Sequence, residues 1–204
     1  NTLVSRVKTF DEVGPRIEVQ QAAVAATGRR VPRDQLVEVV ERHADEAVIV
    51  YCISRKETER TAEQLRSRGV RAEAYHAGLD AGKRRRVQDR FMSERLDVVV
   101  ATVAFGMGVD RSNVRAVVHM AMPKSIEHYQ QESGRAGRDG LEAECVLLYS
   151  SGDAQKWRQL MEASVVEAGG DPGTDSALAS QLELLAHMQR FCGSMRCRHA
   201  ALSE

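Results

Sequence analysis

The chain has 204 residues, enough for one domain with an appendage and for a sizeable buried core. Apolar residues make up 43% and charged residues 28%, and 29 basic side chains are balanced by 29 acidic ones. Zero net charge excludes a bulk electrostatic pull onto nucleic acid, so any such binding must come from local patches, and aromatics at 4% give no sign of wide base-stacking platforms.

No apolar run reaches the roughly 20 residues that a membrane span needs, and no signal peptide opens the chain. Of the four cysteines, Cys52 and Cys145 fall within apolar strand patterns, where a buried reduced thiol is expected. The composition points to a cytosolic protein. The chain opens on Asn1 instead of Met, as a fragment of a longer protein would.

Asn1 to Val7 alternates weakly and reads as a strand. Residues 8–30, with Gly14, Pro15, Gly28 and a run of small residues, announce no element. Pro32 suits the first position of a helix whose apolar face is Leu36, Val37, Val39 and Val40. Ala47 to Cys52 is a short buried strand. A helix from Lys56 to Arg68 follows and closes at Gly69. Arg71 to His76 is the next strand, and Asp80 caps a helix carrying Arg84, Arg85, Arg86, Arg90 and Phe91. Leu96 to Ala101 and Val114 to His119 are apolar β-branched runs, as in strands buried on both faces of a parallel sheet. Ser125 caps a helix holding Gln130, Gln131 and Glu132, and Glu144 to Tyr149 is the last strand.

Strands alternating with helices of this length predict an α/β fold: a mostly parallel sheet with helices on both faces. After Ser150 the pattern changes to two helices, Ala154 to Ala168 and Leu182 to Phe191, separated by the break Gly169-Gly170-Asp171-Pro172-Gly173. We therefore expect one domain over residues 1–150 and a small helical extension over 151–204.

The chemistry concentrates between Val98 and Gly140. The strand ending at Thr102 runs into a loop with Gly106, Gly108 and Asp110. Glycines there let a backbone approach a ligand, and ligands sit at the carboxyl ends of parallel strands. The later helix runs into Gly134-Arg135-Ala136-Gly137-Arg138. Arginines three residues apart face the same way on a helix or its frayed last turn, and each guanidinium is a fork matched to phosphate oxygens. A basic helix end beside a glycine cap would account for Gly137 and one arginine. It would not account for two long motifs in order.

VATVAFGMGVD resembles helicase motif V, and HYQQESGRAGRDG resembles motif VI in the form found in RecQ-type DNA helicases of superfamily 2. The GRxGR pattern alone would indicate only a superfamily 2 lobe; AFGMG with QESGRAGRDG is narrower. The resemblance implies the second RecA-like lobe of such an enzyme. It implies catalytic roles for Arg138, Arg135 and Gln131, with Arg138 as the finger to the γ-phosphate, Arg135 its near partner and Gln131 ordering the cleft. Gly108 and Asp110 would approach the ATP ribose, and Thr102 would grip a phosphate of the single strand.

AVIVYCISRKETE resembles motif IV, which would set Ser54 and Arg55 against the nucleic-acid backbone. The alternative is a capping serine with a solvated arginine. In AYHAGL, His76 either touches a phosphate or fixes the turn. Arg84 matches a family position, whereas Arg85 and Arg86 look like additional local charge. Residues 8–30 depart from the family and read as an insertion.

In the family the P-loop and the Mg²⁺-binding acidic motif lie on a preceding lobe, and neither GxxxxGK[ST] nor DExH occurs in this chain. ATP with Mg²⁺ would therefore be shared with a first RecA-like lobe, and this chain would not hydrolyse ATP alone. The tail FCGSMRCRHAALSE resembles the start of the RecQ zinc-binding region, with Cys197 as one ligand and the others in a longer chain. Cys192, Cys197, His187 and His199 on one continuous helix cannot easily wrap a tetrahedral ion, so no zinc is expected here. The implied partners are single-stranded and branched DNA and the first lobe. The implied location is the cytoplasm, with the nucleoid in a bacterium or the nucleus in a eukaryote. Two alternatives stand beside this reading: a non-catalytic α/β nucleic-acid-binding module, and a lobe of another superfamily 2 motor.

Overall fold

The structure, a computed structural model, describes residues 4–6, 16–21, 32–102, 105, 110–150 and 152–193. Its strands are β1 (Val4–Arg6), β2 (Arg16–Gln21), β3 (Ala47–Tyr51), β4 (Ala72–Tyr75), β5 (Val98–Ala101), β6 (Val114–His119) and β7 (Glu144–Tyr149). Its helices are α1 (Pro32–Arg42), α2 (Arg55–Arg66), α3 (Ala81–Met92), α4 (Ile126–Ser133), α5 (Asp153–Glu167) and α6 (Ser176–Gly193).

Among the described residues the strands form one sheet in the order β1-β2-β7-β6-β3-β5-β4. Neighbours from β2 to β4 pair in parallel, and β1 pairs antiparallel with β2 at the edge. The stretch 8–30 is therefore more than an insertion beside the sheet. Its segment Arg16–Gln21 lies along the full length of β7. The charged run RIEVQQ hides this, because its pairing depends on a partner more than a hundred residues away.

Alternation along each strand divides the core in two. Ile49, Tyr51, Val99, Ala101, Val117, Cys145 and Leu147 face a layer built from Val87 and Phe91 of α3, Tyr129 of α4, and Leu185, Met188 and Phe191 of α6. Val48, Val50, Val98, Val100, Val118, Val146 and Leu148 face Leu36 and Val40 of α1 and Ala62 and Leu65 of α2. Each such Val, Ile or Leu contributes about 1.5–3 kcal/mol by leaving water, which is why these strands are apolar on both sides. A bulge at Arg115 keeps β6 in step: Ala47 opposes Val114, while Val48 opposes Ala116.

Helix starts follow their caps. The side chains of Ser54, Asp80 and Ser125 accept from the backbone N–H groups of Glu57, Lys83 and His128 at 3.2, 2.8 and 3.3 Å. Helix α2 starts one residue before the expected Lys56 and ends at Arg66, two before the expected Arg68. The chain then turns through Gly69 at φ +84°. No described helix is long and apolar enough to cross a membrane.

Candidate nucleotide and nucleic-acid faces

Strands β3, β5 and β4 are neighbours, so their carboxyl ends form one edge, with Tyr51 opposite Ala101 and Ala101 opposite Tyr75. Four residues singled out in the sequence, Thr102, Ser54, Arg55 and His76, lie at or just past these ends. Thr102 leaves β5 with its N–H on the Tyr75 carbonyl at 3.2 Å. Ser54 caps α2, and Arg55 stands exposed on its first turn. His76 is 3% exposed and places Nε2 3.1 Å from the Glu59 carboxylate. Its Nδ1 has no partner among the described residues.

Gly78 brings these groups together. A Cβ there would lie 3.0 Å from an Arg55 guanidinium nitrogen and 3.2 Å from His76 Nδ1. Arg55, His76 and Gly78 therefore share one corner of the edge, with Thr102 on the strand between them. Ser54 uses its hydroxyl locally, as the cap and as a donor to Glu57 at 3.3 Å.

Of the motif VI residues, Arg138 lies away from this edge, next to Gly137 at the start of β6. Helix α4 ends at Ser133, so Arg135 and Arg138 sit in the turn beyond it and not on a last helical turn. Gly137, at φ +62°, reverses the chain, and its N–H bonds the Val114 carbonyl at the start of β6 at 3.0 Å. Arg138 Nη1 donates to Asp110 Oδ1 at 2.8 Å and its Nε to the Gly134 carbonyl at 3.2 Å. The pair is open to solvent, and Gln131 is exposed on α4. Gly108 lies outside the described residues.

The supports of this loop are arginines that sequence reasoning passed over. Arg115 donates to Asp139 at 2.5 Å and to the Glu142 carbonyl at 3.0 Å. This hydrogen bond holds the Asp139 carboxyl below the usual carboxylate range. Arg111, buried beside Asp110, donates to the carbonyls of Phe91 and Leu96 at 2.7 and 3.1 Å and lies over the Phe91 ring. It thereby closes the carboxyl end of α3, where a cation is favoured. Asp110 is thus carried from the carboxyl end of β5 to the opposite edge of the sheet.

Beneath Arg135 lies a buried polar group. His119 Nε2 is 2.9 Å from Glu132 Oε2, with both side chains almost inaccessible. Tyr51 stacks on His119 with centroids 5.3 Å apart, and its hydroxyl donates to the Phe105 carbonyl at 3.1 Å. Burial, then the nearby Glu132 carboxylate, push the Tyr51 phenol above its ordinary range, and the Arg135 guanidinium opposes the shift. The only sequence signal for this group was polar residues closing two apolar strands and an acid next to Gln131.

Cys52, Cys145 and Cys192 are buried in the core outside any disulfide, and burial pushes Cys52 and Cys145 up to about 12. Among the described residues no three His, Cys, Asp or Glu side chains come together to hold a metal ion. Cys197 and His199 lie outside those residues.

The fold is a mostly parallel sheet with helices on both faces, with Arg55, His76 and Gly78 at one corner and the Arg138–Asp110 pair apart from it. Residues 32–140, more than half of the chain, match the helicase conserved C-terminal domain, and the chain belongs to that family. Within it, the chain is a second lobe of RecQ type. It is 53% identical over 122 residues to the ATP-dependent DNA helicase RecQ of Pasteurella multocida, covering 60% of this chain and 19% of that protein. It is 41% identical over 208 residues to the RecQ helicase of Bacillus subtilis, covering 96% of this chain and 34% of that protein. Among solved structures, the Mycobacterium smegmatis helicase Lhr bound to ssDNA and AMP-PNP matches at a TM-score of 0.57 and 26% identity, over 75% of this chain and 22% of that one. The chain thus spans from a fifth to a third of the length of these two RecQ relatives.

Proposed function

We propose that this chain is the C-terminal lobe of an ATP-dependent 3′-to-5′ DNA helicase of RecQ type. It supplies arginine fingers to ATP held mainly by a first lobe, and grips single-stranded DNA. The observation that carries this reading is the separation of two faces: Arg138 with Asp110 at one edge, and Arg55, His76 and Thr102 at the other. A motor needs this arrangement, because strand and nucleotide must occupy different surfaces of one rigid body.

Residues 1–150 form the lobe in this reading, and 151–204 begin a helical extension that leads toward a zinc-binding region with Cys197 as one ligand. The residues present suit a nucleoside triphosphate. Asp110 accepts from ribose hydroxyls, Gly108 lets the backbone approach, and Arg135 and Arg138 offer guanidinium forks to the phosphates. Gln131 orders the cleft between them. The carboxylates for Mg²⁺ come from the preceding lobe. At the other edge Ser54, Arg55, His76 and Thr102 line the path of the DNA backbone, whose contacts position the strand without reading its sequence. Branched DNA and the first lobe are the partners.

The test is DNA-stimulated ATP hydrolysis by the 204-residue chain, alone and mixed with a separately made first lobe. We expect no hydrolysis alone and DNA-dependent hydrolysis on mixing. Hydrolysis by the chain alone would overturn the shared-cleft reading.

A further inference from the structure

We infer that Glu59 is a positioning residue of the strand grip: its carboxylate, on Nε2 of His76, leaves Nδ1 able to donate to a DNA phosphate only when the imidazole carries a second proton. This rests on the helicase reading above, which sets His76 against the DNA backbone.

The corner is built from three neighbouring stretches. His76 follows β4, is 3% exposed, and has Nε2 3.1 Å from Glu59 Oε1 on α2. Its Nδ1 has no hydrogen-bond partner among the described residues. A Cβ on Gly78 would stand 3.2 Å from that Nδ1 and 3.0 Å from Arg55 Nη1. Glycine thus leaves free the space that a ring nitrogen and a guanidinium both border, and a phosphate oxygen suits two such groups.

The proton decides whether Nδ1 can use that space. A carboxylate only accepts, so Nε2 carries the proton of the Glu59 contact. In the neutral ring Nδ1 is then a bare lone pair, which repels a phosphate oxygen. A second proton makes Nδ1 a donor, and Glu59 stabilises the charge so created. Strand binding therefore takes up a proton at Nδ1, and the contact becomes charge-assisted. Arg55, on the same helix as Glu59, opposes protonation. On α3, Asp80 is engaged in the cap of its own helix, and Lys83 and Arg84 bring positive charge to the first turn. Beyond Glu59 the cleft between α2 and β4 is lined by Arg60, Glu63, Arg66 and Glu73, which are of both signs. Thr102, at the end of β5, is uncharged, and the sequence from 103 to 109 contains no titratable side chain.

The experiment uses the full-length enzyme as wild type, Glu59→Gln and His76→Asn, with an oligo-dT strand as the probe. Strand affinity is measured by anisotropy between about pH 6 and pH 8 at fixed ionic strength, since phosphate contacts also respond to salt. Thermal melting is followed in parallel. One linked proton limits the slope to about tenfold per pH unit. For wild type we expect affinity to be strongest near pH 6 and to fall about tenfold toward pH 8. The amide introduced by Glu59→Gln can donate to Nε2, which returns the proton of the neutral ring to Nδ1. This variant should bind more weakly than wild type near pH 6 and at least as tightly near pH 8. His76→Asn should lose the slope altogether. A flat wild-type profile, or a wild-type slope in either variant, overturns the inference. So does an affinity loss in Glu59→Gln that is equal at every pH or merely follows a lowered melting point, the mark of a structural contact. A wild-type enzyme that binds no strand at any pH overturns the helicase reading, and the inference with it.

Discussion

The Arg138 guanidinium is paired with Asp110, the group expected at the ribose. Both side chains are well exposed, and an ion pair of that kind contributes about 0–1 kcal/mol. A triphosphate would displace it easily, and a ribose occupying Asp110 would favour the release. Arg138→Ala in the full-length enzyme should therefore leave DNA affinity nearly intact while reducing ATP turnover by about 10³-fold or more. Steady-state hydrolysis beside strand-binding titrations checks this. Turnover at the wild-type level would transfer the finger to Arg135. Both arginines stood out in the sequence as candidates for phosphate binding because guanidinium chemistry is local. The ion pair did not, since 28 residues separate its partners.

At the level of elements, α4 and the turn after it show where local signals stop. Ser125 announced the start of α4, because a cap acts within one turn. The C-cap of α4 is Gly134, and the turn beyond it is fixed from afar, because Gly137 at φ +62° bonds the Val114 carbonyl of β6. A Cβ on Gly137 would also lie 2.8 Å from the Leu141 carbonyl, whereas Gly69 at φ +84° has nothing within 4 Å. Gly137→Ala should cost more than the roughly 1–2 kcal/mol of left-handed backbone strain alone, and Gly69→Ala only that strain. For a chain of this size each kcal/mol lowers Tm by about 2–4 °C, so calorimetry separates the two variants. Equal Tm losses would mean that the turn relaxes and does not hold Arg135 and Arg138 in place.

Across the whole molecule, α1 is joined to β7 by charge. His43 lies between Glu46 at 2.7 Å and Glu144 at 3.0 Å, and Arg42 reaches the same Glu144 at 2.8 Å. The Glu144 hydrogen bond, opposed by partial burial and aided by Glu46, raises the His43 pKa above its ordinary value. A raised folded-state pKa means that protonated His43 stabilises the fold fully below about pH 6.5. That contribution disappears as pH rises through the folded value. Urea unfolding of wild type and His43→Gln should thus differ most near pH 6 and converge at alkaline pH. A constant difference would show that the contact is not an ion pair.

What the sequence determined by itself was everything set by near neighbours: apolar strands buried on both faces, serine and aspartate caps, and the two motifs that identify the lobe. Only the tertiary structure decided that Arg16–Gln21 is a sheet strand, and that α6 places Leu185, Met188 and Phe191 in the same core as the α3 and α4 residues. It also decided that Asp110 meets Arg138 and that the Tyr51 hydroxyl donates to the Phe105 carbonyl. These relations have no local signature. Sheet order and helix packing bring together side chains that backbone propensity and periodicity, which reach only a few residues, cannot relate.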